Sequence, residues 1–185
     1  MTNGRATLSL VEKALILGAG ASAALIAGAH GFERFGYPPC ELCLDQREAH
    51  WTALAVAAAG IISAFAFKAR LFAAASVGAL ALVYAMSASL AFYHTGVEFS
   101  FWPGPASCSS VGEGVSDISA LTQALTQKPA GPACNEAPWR LFGVSMAGYN
   151  FLASAGLFAF ALSGAVSATR QARNARRPSA QNGTA

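Results

Sequence analysis

LFAAASVGALALVYAMSASLAFYHTGV, residues 71–97, contains no Asp, Glu, Lys or Arg. A helix on the surface of a soluble protein keeps one polar face, and this stretch has none. Three further uncharged runs accompany it, at 14–32, 49–67 and 141–169. At about 1.5 Å rise per residue, a run of ~19 residues reaches roughly 28 Å, close to the ~30 Å of a hydrocarbon core. The whole chain is 54% hydrophobic and 11% charged, whereas soluble domains are about one quarter charged. These features predict an all-α membrane protein, a four-transmembrane-helix bundle with spans at about 14–32, 49–67, 71–94 and 146–169. The remainder divides into a cytoplasmic N-terminus at 1–13, outer loops at about 33–48 and 95–145, and a basic, disordered cytoplasmic tail at 170–185.

Lysine and arginine in short flanking segments favour the cytoplasmic side. Arg5 and Lys13 precede the first span, Lys68 and Arg70 form the turn between the second and third, and Arg170, Arg173, Arg176 and Arg177 follow the fourth. The opposite face keeps Arg34, Arg47, Lys128 and Arg140, together with every acidic residue except Glu12. Both termini are therefore expected in the cytoplasm, and the net charge of +3 is a topology signal that gives no reason to invoke nucleic acid. Lys13, the apolar run and Ala27-Gly28-Ala29 also resemble a cleavable signal peptide. Cleavage would leave the later helices oriented as before.

All four cysteines fall in the two outer loops, although free cysteine sits comfortably in apolar interiors. In an oxidising compartment an even number there suggests two bridges. Of the three possible pairings, Cys40 with Cys43 and Cys108 with Cys134 is the local one. The first pair follows Pro38-Pro39, and proline suits a helix start, so the second helix is expected to begin near Pro39. A thiolate at Cys43 is then favoured by the positive end of the helix dipole. Cys40, Cys43 and Arg47 would stand at i, i+3 and i+7 on one face, where the guanidinium would support the thiolate and donate hydrogen bonds to a ligand oxygen. The second pair encloses a Gly-, Pro- and Ser-rich loop and is expected to form an exposed, easily attacked bridge. Within that loop Val115, Ile118, Leu121 and Leu125 recur at helical spacing, predicting a short periplasmic amphipathic helix, lying on the membrane surface or packed on protein.

Other chemistry is possible for these residues. Four cysteines can close a tetrahedral zinc site, with His50 or His94 as substitutes, but structural sites use two close-spaced pairs and only one is present here. An ion transporter keeps ionisable groups deep in the bilayer, and at depth these spans offer Tyr84 and scattered serines. Trp51, Trp102, Trp139, Tyr37, Tyr93 and Tyr149 all map to the outer boundary, as an aromatic belt does.

Taken together, Pro39-Cys40-Glu41-Leu42-Cys43 with Gln46-Arg47, Tyr93-His94-Thr95, Cys108 and Cys134, and Pro138-Trp139-Arg140-Leu141-Phe142-Gly143 resemble the DsbB family of bacterial disulfide-bond formation proteins, over about Ala14 to Thr169. The resemblance implies a multi-pass inner-membrane thiol:quinone oxidoreductase with its cysteine loops in the periplasm. It would reoxidise a periplasmic DsbA-like thioredoxin-fold protein and use ubiquinone or menaquinone as cofactor. By this resemblance the partner attacks Cys108 and releases Cys134, Cys134 attacks Cys40 and releases Cys43, and Cys43 passes electrons to the quinone. Arg47 and His94 would be the quinone-binding residues, and no metal is implied. Two departures stand out: the His94 to Cys108 spacing looks one residue longer than the family pattern, and Glu41 adds a negative charge inside the motif. A vitamin-K-epoxide-reductase-like redox protein, and a non-catalytic membrane protein with structural disulfides or zinc, are the alternatives.

Overall fold

The computed structural model describes residues 8–105, 108 and 132–176. Among these, four long helices account for most of the chain: α1 (Leu10–Arg34), α2 (Glu41–Phe65), α3 (Arg70–Glu98) and α4 (Met146–Arg176). All four are long and apolar enough to cross a membrane. The predicted amphipathic helix around Val115–Leu125 lies outside the described residues.

Each helix extends past its uncharged segment at one end at least, α1 and α3 at both, because the backbone hydrogen-bond ladder can continue where charge begins. Ser9 caps α1 in a capping box, accepting from the Glu12 N–H while the Glu12 carboxylate accepts from the Ser9 N–H at 2.7 Å. The first two turns of α2 carry Glu41, Asp45, Arg47 and Glu48 and so project beyond the span that begins near Ala49. A tight turn at residues 66–69 joins α2 to α3, with Lys68 at φ 51°. The last helix corrects the sequence reading, which starts a disordered tail at residue 170: α4 stays helical through Arg170 and Arg173 to Arg176. Pro178 disfavours helical geometry at the residue before it, which places the sequence stop signal beyond 170.

A two-stranded antiparallel hairpin, β1 (Arg140–Leu141) with β2 (Val144–Ser145), leads into α4. Phe142 and Gly143 between the strands both have positive φ, 50° and 81°, the backbone a two-residue hairpin turn requires.

In the bundle α3 packs along α2 and α4, while α1 closes against α2 and α4. Leu15, Ala53, Ala57, Val77, Leu80 and Tyr84 form the buried centre. Small residues let the helices approach closely, as in membrane bundles generally. A Cβ on Gly60 would lie 2.8 Å from the Ser76 Cβ and would also strike the Leu15 side chain. Outward-facing side chains are apolar too, with Leu82 73% and Phe72 68% exposed. Such a surface is suited to lipid. Gly60→Ala is expected to destabilise the bundle by about 1–3 kcal/mol through overpacking. Gly20→Ala, where a Cβ meets nothing within 4 Å, should be neutral or slightly stabilising. Thermal unfolding of the detergent-solubilised variants checks both.

Candidate redox site

The site is assembled at the N-terminus of α2. Tyr37 and Pro38 each precede a proline, which biases them to extended backbone. Cys40 continues in that geometry at φ −80°, ψ 174° and caps the helix. The helix therefore starts one residue after its cysteine cap, at Glu41, slightly later than the expected Pro39. A capping side chain normally offers an oxygen to the third helical N–H. Here the Cys40 sulfur accepts from the Cys43 N–H at 3.3 Å. The cap also brings the two Sγ atoms to 2.8 Å.

This arrangement makes the two thiols unequal. A hydrogen bond from the Cys40 thiol holds the Cys43 sulfur below the ordinary cysteine range, with the Arg47 charge adding a smaller pull in the same direction. Burial and the Glu98 carboxylate oppose it. Cys40 is pushed well above its usual value, first by sharing its proton with Cys43 and then by burial. Glu41, the charge within the motif, points to the exposed side of the helix, where water screens it.

Arg47 is committed more fully than the sequence suggests. Its guanidinium donates to Glu33 Oε2 at 2.8 Å and to the Ala29 carbonyl at 3.2 Å, tying α2 to α1. A guanidinium has five N–H donors, so these two bonds leave others for a ligand. His94 is buried at 3% exposure, with Nε2 3.6 Å from the Cys40 sulfur and 3.8 Å from the Glu98 carboxylate. Ser145, at the end of β2, donates to that carboxylate.

Cys108 and Cys134 are bonded to each other. Their position corrects the expectation of an exposed bridge, since Cys108 is 6% and Cys134 1% exposed. The burial comes from how the loop is moored. Trp102 stacks on Tyr93, its indole N–H donates to the Tyr93 carbonyl at 2.9 Å, and the Tyr93 hydroxyl donates to the Pro103 carbonyl at 3.0 Å. Gly96 makes room for the indole, because any Cβ there would fall inside the ring. The Cys108 N–H then donates to the Pro105 carbonyl at 2.9 Å. The outcome is one buried cluster of Cys40, Leu42, Val97, Cys108 and Cys134, with Cys43, Tyr93 and Trp102 packed against it. The structure thus brings both cysteine pairs and His94 together, with Arg47 at the edge.

Beside the cluster lies a cavity of about 410 Å³. Cys43, Arg47, His94 and Glu98 line one side, and Phe32 and Trp139, with ring centroids 5.0 Å apart, line another. Ala24, Gly28 and Ala29 of α1 and Met146 and Ala147 of α4 also line it. The sulfurs of Cys40 and Cys43 and the nearer ring nitrogen of His94 lie within 4.8 Å of one another, close enough for metal ligands. Three residues of the site carry no role in the sequence reading, Glu33, Glu98 and Asn150, while Gln46 appears there only within the motif and His50 only as a substitute metal ligand. Gln46 and His50 stand one helical turn apart, in line with the buried Leu42 and Ala53, and that shared buried face is the signal that could have found them.

Four membrane-length helices that gather two cysteine pairs into one buried cluster define a membrane protein of thiol–disulfide exchange. The chain matches the family described as Disulfide bond formation protein DsbB over residues 11–178, and it belongs to that family. It is accordingly a multi-pass membrane oxidoreductase of disulfide-bond formation. No curated protein and no solved structure matches it.

The unequal thiols give a direct expectation. In the reduced protein, alkylation of Cys43 should rise with pH to its half-maximum below the ordinary cysteine value of about 8.5, while Cys40 stays a thiol well above it. Iodoacetamide labelling followed by peptide mass spectrometry reads both curves, and Cys40 ionising first would contradict the assignment.

Proposed function

We propose that this chain is a thiol:quinone oxidoreductase that reoxidises a periplasmic DsbA-like thioredoxin-fold protein and delivers the electrons to a membrane quinone, ubiquinone or menaquinone. The observation that carries the reading is the shared cluster: the Cys108–Cys134 bond packs against Cys40, and Cys43 borders an apolar cavity at the bundle's edge. The redox unit is the segment 14–169, with both termini in the cytoplasm and the cysteine loops in the periplasm, in keeping with the arginines near the end of α4.

The cavity fits a quinone by its chemistry. It offers flat aromatic walls in Phe32 and Trp139 for a ring, spare Arg47 donors for a ring oxygen, and small residues on α1 that open toward the membrane for an isoprenoid tail. The apolar seam between α1 and α4, bounded by Ala21, Ala24, Leu25, Ala153 and Gly156, continues from it through Ala24 and Leu25. A bound quinone would supply the acceptor for two electrons and two protons.

The chain's own steps are disulfide exchanges. A partner thiolate attacks Cys108, forming a mixed disulfide and releasing the Cys134 thiolate. Cys134 attacks Cys40, breaking the Cys40–Cys43 bond and leaving the electron pair on Cys43, which lies in the first turn of α2 with the Arg47 charge nearby. The partner's second thiolate displaces Cys108 and leaves as the oxidised protein. Cys108 then takes Cys134 back, which frees Cys40 to re-form its bond to Cys43 as the electrons depart. Because Cys108 is buried, the mooring of residues 102–105 must loosen for the partner to reach it.

Purified protein in nanodiscs should oxidise a reduced DsbA-like protein only when quinone is supplied, followed by quinone absorbance. Serine at any of the four cysteines should lower turnover by at least about 100-fold, since each carries one covalent step. Cys134→Ser should accumulate the partner bonded to Cys108. Arg47→Ala should raise KM for quinone about tenfold, the equivalent of one charge-assisted hydrogen bond. Turnover that ignores quinone, or survives Cys43→Ser, would refute the reading.

A further inference from the structure

A backbone carbonyl can only accept a hydrogen bond. The Leu42 carbonyl accepts one from Gln46 Nε2 at 3.1 Å, and this fixes which end of the Gln46 amide is nitrogen. The same Nε2 lies 2.8 Å from His94 Nδ1. Nδ1 must therefore accept, and the neutral ring carries its proton on Nε2. That nitrogen lies 3.6 Å from the Cys40 sulfur, with a Glu98 carboxylate oxygen slightly farther at 3.8 Å. At the other end of the amide, Gln46 Oε1 must accept, and Asn150 Nδ2 donates to it at 2.7 Å. Asn150 Oδ1 is thereby turned toward His50 Nε2 at 2.8 Å, which donates in its turn. Gln46, His50 and His94 are 6%, 3% and 3% exposed, so no bulk water competes for these bonds. One carbonyl on α2 thus sets the polarity of a chain reaching α3 and α4.

We propose that Gln46, held between the Leu42 carbonyl and Asn150, is a positioning residue that locks His94 in the Nε2–H tautomer so that the ring donates to the Cys40 sulfur when that sulfur carries charge. The inference rests on the thiol:quinone reading for the moment at which this happens. Cys108 thiolate attacks Cys134, the Cys108–Cys134 bond forms, the Cys40–Cys134 bond breaks, and the electron pair leaves on Cys40. A donor at 3.6 Å closes on the sulfur as the charge develops. The lock has a second effect. A nitrogen that carries a proton has no lone pair for a cation, so the cluster of Cys40, Cys43 and His94 meets a metal ion with one ligand disabled. Zinc capture by the reduced dithiol would require breaking the Gln46–His94 bond.

The test is the tautomer itself, read from long-range ¹H–¹⁵N correlations of histidine-labelled protein in nanodiscs. Wild type should show a pyrrole-type Nε2 and a pyridine-type Nδ1 for both His94 and His50. Gln46→Leu removes the donor to Nδ1, so His94 should become a mixture of tautomers and quinone-dependent turnover should fall about tenfold, the effect of losing one hydrogen bond to a charged sulfur. Gln46→Glu, a near-isosteric change whose ionised side chain can only accept, should move His94 to Nδ1–H and make the reduced protein bind Zn²⁺ at least tenfold more tightly than wild type. A wild-type His94 protonated on Nδ1, or a Gln46→Leu protein with a pure Nε2–H ring and wild-type turnover, would overturn the proposal. The tautomer measurement needs neither quinone nor partner. Failure of the thiol:quinone reading would leave it intact, and an Nδ1–H ring would sink the inference while turnover continued.

Discussion

The hydrogen bond from the Cys43 N–H to the Cys40 sulfur orders the rest of the site. It makes a cysteine do what serine or aspartate does at most helix starts, and it places the second cysteine of the motif one turn into the helix with its sulfur against the first. A helix N-terminus attracts negative charge, and the Cys40 thiol adds a donor at short range. Charge therefore collects on Cys43, which borders the cavity, while Cys40 keeps its proton and faces the other disulfide. In the proposed mechanism the direction of electron flow would follow from which sulfur caps the helix and which one follows it.

Burial of the second disulfide changes how the exchange must work. An exposed bridge would invite any passing thiol, including small reductants. Here Trp102 on Tyr93, in the space left by Gly96, anchors residues 102–105 to α3, and on the proposed reading the transfer from Cys134 to Cys40 would take place within a packed cluster. The same packing shields Cys108 from nonspecific thiols. On the proposed reading a partner that loosens residues 102–105 would gain access, and selectivity would lie in the mooring as well as in the sulfurs.

The four spans were legible because charge is excluded from a bilayer, and the run 71–97 could hardly be anything else. The cysteine pairs and Arg47 were legible from local spacing on one helix. Other features depend on contacts between distant residues that no local pattern encodes. Gln46 meets Asn150 across 104 positions, and Glu33 claims Arg47 from a different helix. The buried bridge was misread because a Gly- and Pro-rich loop resembles an exposed one until the aromatic anchor is seen. Phe142 at positive φ hid the hairpin, since such turns usually announce themselves with Asn-Gly. The continuation of α4 to Arg176 was missed because charge ends a span without ending a helix.

The central claim is that the two pairs form one exchange unit through Cys134 and Cys40, and a protein retaining only those two cysteines tests it most directly. In a Cys43→Ser, Cys108→Ser double variant treated with a mild oxidant in nanodiscs, peptide mass spectrometry should find an intramolecular Cys40–Cys134 disulfide at near-stoichiometric yield. Two free thiols, or only intermolecular dimers, in a variant that still melts like the wild type would contradict it.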